Sequence, residues 1–248
     1  MKRLLLVLGL LAVLAGPAAS ATKTTARITV YAAASLTDVF PKIDPNERYS
    51  FGGSNTLATQ IKNGAPADVF ASANMSIPNQ LYQGGYCSKP VIFTRNKLVI
   101  VVPTANPAHI SSIYNLTKRG VKVDVAAPGV PVGTYTQQVL NNMNIAAAVN
   151  ANVVSQDPDV RTVLAHVTSG EVDAGFVYST DAKTVPGKVT VIKIPAWAQP
   201  KVQYGICVVS KSAHKSAAQT FINRVLSTRG QRILLSTASC RASRRSRQ

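Results

Sequence analysis

The sequence predicts an α/β protein of two lobes. Short β-rich runs alternate with helical patterns, the rhythm of a mostly parallel sheet. Hydrophobic residues make up 46 % of the chain and aromatic residues 6 %, a globular composition rather than a disordered one. Two apolar strands, Lys97–Pro103 and Tyr204–Ser210, bracket the middle of the chain. They read as crossovers from a first lobe into a second and back, with a cleft between the two.

The elements follow in order. Lys2 and Arg3 precede an apolar run from Leu4 to Leu14, and small residues end at Ala19-Ser20-Ala21. This is the layout of a cleavable secretory signal over 1–21, with an apolar stretch too short for a permanent membrane anchor. The first lobe is expected over 22–102 and 205–240, the second over 103–204, and a basic, disordered tail over 241–248. Strands are expected at Ile28–Ala32, Asp68–Ser72, Leu98–Val102, Lys122–Ala126, Ala174–Val177, Val189–Ile194 and Tyr204–Val209. Another hydrophobic strand is expected to end just before Ser54. Helices are expected at Ser35–Phe40, Thr56–Asn63, Tyr135–Asn142, Pro158–Ser169 and Ala217 to Leu235. No later stretch is long and apolar enough to span a membrane.

The formal charge of +17 raises a nucleic-acid reading, which its distribution does not support. Lys2 and Arg3 belong to the leader. Arg241, Arg244, Arg245 and Arg247 belong to the tail, and the remaining cations are scattered without a basic stripe interleaved with aromatics. Such a surface draws anions by long-range attraction. Three cysteines, Cys87, Cys207 and Cys240, permit one disulfide and one free thiol in three pairings. Cys207 lies in an apolar strand and reads as a small buried hydrophobe.

Catalysis finds little support. The histidines His109, His166 and His214 each stand alone, and His166 reads as packing or surface. The sequence has no G-x-S-x-G, H-E-x-x-H or G-x-x-x-x-G-K-[ST] pattern and only 10 carboxylates. Asp157 and Asp159 flank Pro158 in an N-cap arrangement. No metal-ligand spacing links the cysteines, and no cofactor is implied.

Anion binding finds more. Ser35 and Ser54 each stand where a hydrophobic strand hands over to a helix. A helix start offers unpaired N–H groups and partial positive charge, and a serine adds a hydroxyl donor among small neighbours. Either serine alone is an ordinary N-cap. The Ala71–Asn74 segment, the Gly/Pro turn Pro128–Tyr135, the helix opening at Asp157–Arg161 and the segment Gly175–Asp181 repeat the arrangement. All of them lie at the carboxyl ends of strands, where open α/β sheets bind ligands.

These residues resemble a known family. Ile28–Thr37 (ITVYAAASLT), Ser50–Leu57 (SFGGSNTL), Gly64–Asn74 (GAPADVFASAN), Val130–Tyr135 (VPVGTY), Asp159-Val160-Arg161 and Gly175–Ala182 (GFVYSTDA) are similar to the periplasmic molybdate-binding proteins of ABC importers. The resemblance runs in order from Arg27 to Leu235. It implies a two-lobed, Venus-flytrap, type II periplasmic-binding-protein fold, each lobe a mixed sheet flanked by helices. It further implies a monomeric, non-enzymatic periplasmic protein that captures molybdate or tungstate and delivers it to an ABC permease subunit. Ser35 and Ser54 would donate hydroxyl and backbone bonds and Ala73 a backbone contact from the first lobe. Val132 and Val160 would give backbone N–H groups and Tyr178 its hydroxyl from the second. The same architecture holding sulfate or phosphate is the alternative. Val132 departs from the alanine more usual in the family, and Gly52-Gly53 from the serine-rich version of some relatives. Pro17 stands where lipid-anchored members carry cysteine.

Overall fold

The computed structural model describes residues 26–238. The leader expected over 1–21, Cys240 and the tail at 241–248 lie outside that span. The strands are β1 (Thr29–Ala33), β2 (Arg48–Gly52), β3 (Val69–Ser72), β4 (Val91–Arg95), β5 (Leu98–Pro103), β6 (Val123–Ala126), β7 (Val153–Asp157), β8 (Ala174–Tyr178), β9 (Val189–Lys193) and β10 (Gln203–Val208). The helices are α1 (Phe40–Ile43), α2 (Ser54–Lys62), α3 (Ser76–Gln83), α4 (Pro131–Asn142), α5 (Ala146–Asn150), α6 (Val160–Ser169), α7 (Ser179–Ala182), α8 (Lys215–Leu226) and α9 (Thr228–Ala238).

Two five-stranded sheets result, in the orders β2-β1-β3-β10-β4 and β7-β6-β8-β5-β9. In the first, β1 pairs parallel with β2 and β3; in the second, β6 pairs parallel with β7 and β8. The fourth strand of each sheet is antiparallel. β10 runs against β3 and β4, and β5 runs against β8 and β9. The sheets are therefore mixed, where the alternating rhythm of the sequence predicts mostly parallel ones.

β5 corrects one expectation. The sequence reading places residues up to 102 in the first lobe, but β5 is the fourth strand of the second sheet. It is buried between β8 and β9, as a continuous apolar run requires. The crossover thus occurs at Asn96-Lys97, between β4 and β5. The return runs from Ile194 to Val202, between β9 and β10.

The final helix is also two helices rather than one. Ser227 takes an extended backbone (φ −64°, ψ 159°) that ends α8. Its Oγ then accepts the Gly230 N–H at 3.1 Å, and its carbonyl accepts the Gln231 N–H at 2.8 Å, which starts α9. Gly230 is required there, since a Cβ would come within 2.2 Å of the Arg224 carbonyl.

One apolar core reaches through both lobes. An aromatic file runs through it toward the cleft: Phe40–Phe93 at 5.8 Å between ring centres, Phe93–Tyr204 at 6.0 Å and Tyr204–Tyr178 at 5.5 Å. Asp68 fastens the outer end of the first lobe, accepting from the Thr29 amide and the Ser212 hydroxyl. Burial raises its pKa, but these hydrogen bonds and His214 outweigh burial and hold it below the usual carboxylate value. Cys87 and Cys207 are free and buried side by side. The hydrogen bond between the two thiols, followed by burial, pushes Cys207 well up, so it is an inert hydrophobe. Among the described residues no helix is long and apolar enough to cross a membrane.

Candidate functional site

The carboxyl ends of β1, β2 and β3 in one sheet and of β6, β7 and β8 in the other meet at one cavity. Each is followed by one of the residues singled out from the sequence: Ser35 after β1, Ser54 after β2, Ala73 after β3, Val132 after β6, Val160 after β7 and Tyr178 closing β8. All six line one small cavity, together with Ala33, Ala34, Gly52, Gly53, Val130, Pro131 and Asp159.

The N-cap reading of the two serines fails on geometry. Ser35 sits in a short 3-10 turn, Ala34–Leu36, rather than in the expected Ser35–Phe40 helix, and Ser54 opens α2; their caps are Ala33 and Gly53, neither of which offers a side chain to the helix. α4 likewise begins after Val130 with no side-chain cap and Pro131 in its first turn. The first-turn N–H groups of α2 and α4 therefore have no side-chain acceptor and point their partial positive charge at the cavity. At α6 the cap is Asp159. Its carboxylate accepts from the Arg161 amide at 2.8 Å and the Thr162 amide at 3.2 Å, leaving the Val160 N–H next to the cavity.

The hydroxyls are oriented by their partners. Ser54 Oγ accepts the Ala73 N–H at 3.1 Å, which leaves its own hydrogen free to donate into the cavity. Ala73 thus lines the cavity with its amide turned to Ser54, so its part in the site is to aim that hydroxyl.

Ser35 is oriented by a longer relay that the sequence does not reveal. Asn96 Oδ1 accepts the Lys97 N–H at 2.9 Å and the Ser179 hydroxyl at 3.0 Å, which fixes its amide orientation. Its Nδ2 must then donate, to Thr180 Oγ1 at 2.9 Å and Tyr204 Oη at 3.4 Å. Tyr204 Oη, accepting there, also shares a hydrogen bond with Ser35 Oγ at 3.0 Å, in which either hydroxyl can donate.

Tyr178 completes the set. It is 1 % exposed, and its Oη is buried at the cavity with no hydrogen-bond partner in the protein. A buried hydroxyl without a partner costs on the order of 1–3 kcal/mol, so it marks a place where a ligand acceptor belongs. Burial pushes the phenols of Tyr178 and Tyr204 well above their usual pKa, so both remain neutral donors.

Arg161 faces away from the cavity and ties the lobes together. Its guanidinium pairs with Asp38 of the first lobe, lies 3.2 Å from buried Asp181, and donates to Thr184 Oγ1 at 3.1 Å. Burial raises Asp181 to about 7 despite the Arg161 charge beside it. Asp38→Ala is expected to weaken anion binding by about fivefold, roughly the 1 kcal/mol of a partly exposed pair. The loss should appear in the dissociation rate and shrink in high salt, as stopped-flow measurements at two ionic strengths would register.

Neutral donors at the ends of parallel strands, enclosed by two lobes of one chain, define a solute-binding protein for a small anion. The chain belongs to the bacterial extracellular solute-binding protein family, whose profile matches residues 28–237, and within it to the ModA type. It is 36 % identical over 217 residues to a Mycobacterium bovis protein named molybdate-binding protein ModA, covering 84 % of this chain and 82 % of that one. A Haemophilus influenzae protein of the same name is 31 % identical over 227 residues, covering 85 % and 88 %. Among solved structures, the periplasmic molybdate-binding protein of Azotobacter vinelandii shares the fold with a TM-score of 0.75 at 21 % identity, covering 88 % of this chain and 100 % of that one.

Proposed function

We propose that this protein captures a tetrahedral oxyanion dianion, molybdate or tungstate, between its lobes and delivers it to an ABC permease. The observation that carries the reading is the unpartnered, buried Tyr178 hydroxyl, which meets the uncapped starts of α2 and α4 in one small cavity. A buried dianion is costly unless each oxygen is hydrogen-bonded, and fixed neutral donors do this without a counter-ion whose own desolvation adds cost. Both walls come from one chain, which supports action as a monomer. The leader-like residues 1–21 support export to the periplasm. The names of the curated relatives favour molybdate over other oxyanions. Molybdate and tungstate are larger than sulfate, so a cavity fitted to them leaves sulfate with stretched hydrogen bonds.

Calorimetric titration of the mature protein with molybdate, tungstate, sulfate and phosphate tests this. Molybdate or tungstate at 100 times its Kd should raise Tm by about 5–10 °C, with sulfate and phosphate far weaker. Preferential binding of sulfate would move the chain to another oxyanion. No response to any of the four would sink the reading.

A further inference from the structure

We infer that Asp124, Asp157 and His166 form a second site, separate from the anion cavity, for a divalent transition-metal cation of the zinc class. His166, isolated in the sequence, lies on α6 about two turns beyond the cavity. It is brought against Asp124 in β6 and Asp157 at the end of β7. Its Nδ1 is 2.8 Å from Asp124 Oδ2 and 2.9 Å from Asp157 Oδ2. One atom from each of the three residues lies within 4.8 Å of the other two.

The cluster has more acceptors than its one ring hydrogen can serve. Asp124 is fully buried and Asp157 is 5 % exposed; one oxygen of each converges on the same ring nitrogen, and Asp124 Oδ1 has no hydrogen-bond partner. Two buried carboxyl groups crowd one imidazole, and burial followed by the hydrogen bond to Asp157 raises Asp124 to about 7. A cation placed between the three would displace the protons held there and keep both carboxylates charged.

The surroundings have the form of a metal shell. Ser155 Oγ donates to Asp157 Oδ1 at 2.9 Å, steadying that carboxylate, and Glu171 lies 4.0 Å from the other ring nitrogen of His166. The His166 side chain is 29 % exposed, which gives an ion a route in and water a coordination position. One imidazole with two carboxylates suits zinc and its neighbours, while calcium and magnesium take all-oxygen shells. None of the three residues lines the anion cavity.

Titration of tag-free, chelator-stripped protein with Zn²⁺ alone, followed by calorimetry and Tm, tests the assignment, with Co²⁺ absorption as a report on the ligand set. Zinc is expected to bind at one equivalent and raise Tm. In His166→Ala its affinity should fall by about 100-fold and the Co²⁺ spectrum should vanish. His214→Ala, which alters the other carboxylate-paired histidine, should bind zinc as the wild type does. Asp124→Asn should repeat the His166→Ala result. If it does not fold, His166→Ala decides, since that side chain is partly exposed. No zinc binding by the wild type, undiminished binding by His166→Ala, or loss with His214→Ala instead would overturn the assignment.

Discussion

Gly53→Ala is expected to lower oxyanion affinity by about 100-fold or more while leaving the Tm of the ligand-free protein nearly unchanged. Gly53 has an ordinary backbone (φ −60°, ψ 131°), so alanine brings no local strain. The obstacle lies across the cleft. A Cβ at Gly53 would stand 2.3 Å from the Pro158 carbonyl oxygen, where a carbon and an oxygen cannot both remain. The other near neighbour, Asn55 Oδ1 at 2.9 Å, ends a side chain and can turn aside. Relief therefore requires the lobes to separate, which withdraws the Val160 and Tyr178 donors from the Ser35 and Ser54 donors. Overpacking of this kind costs about 1–3 kcal/mol, and lost ligand contacts add to it. Calorimetric titration beside a ligand-free melt separates the two effects. Wild-type affinity in the variant would mean that binding does not need the lobes this close.

Tyr178→Phe should act in opposite directions on stability and on binding. Without ligand, the variant removes a buried hydroxyl that has no partner, and the protein should gain about 1–2 kcal/mol. With ligand, it removes a neutral donor to a charged acceptor, worth about 1.5–3 kcal/mol, so affinity should fall by roughly 10–150-fold. Because burial holds the phenol far above its usual pKa, the loss should be the same from pH 5 to pH 9. Denaturant melts and titrations at three pH values check both halves. A variant less stable than the wild type would assign the hydroxyl an internal partner instead of a ligand.

The parts of this architecture that repeat along the chain were legible in its sequence. A hydrophobic strand followed by small residues and a helix start marks Ser35 and Ser54, and the Asp157–Arg161 helix opening marks Val160, because each signal is local in sequence. Edge strands were harder to see. β4 exposes Val91, Ile92 and Arg95, and β7 alternates exposed and half-buried residues, so neither forms an apolar run. α3 was hidden by Pro78 in its first turn. The apolar run of β5 announces a buried strand but not the sheet that buries it. Tyr204 and Asn96 carried no signal at all, since their role depends on partners 169 and 108 residues apart. His166 read as isolated for the same reason, its carboxylates lying on neighbouring strands.

The Asn96 relay joins the crossover between the lobes to the anion cavity. Asn96 sits where the chain passes from one sheet to the other, and its amide bonds Thr180 of the second lobe and, through Tyr204, reaches Ser35 at the cavity. A change in the angle between the lobes therefore acts on a cavity hydroxyl through the residue at the joint. The crossover is a mechanical link as well as a covalent one, carrying lobe position to the ligand site and ligand occupancy back to the lobes.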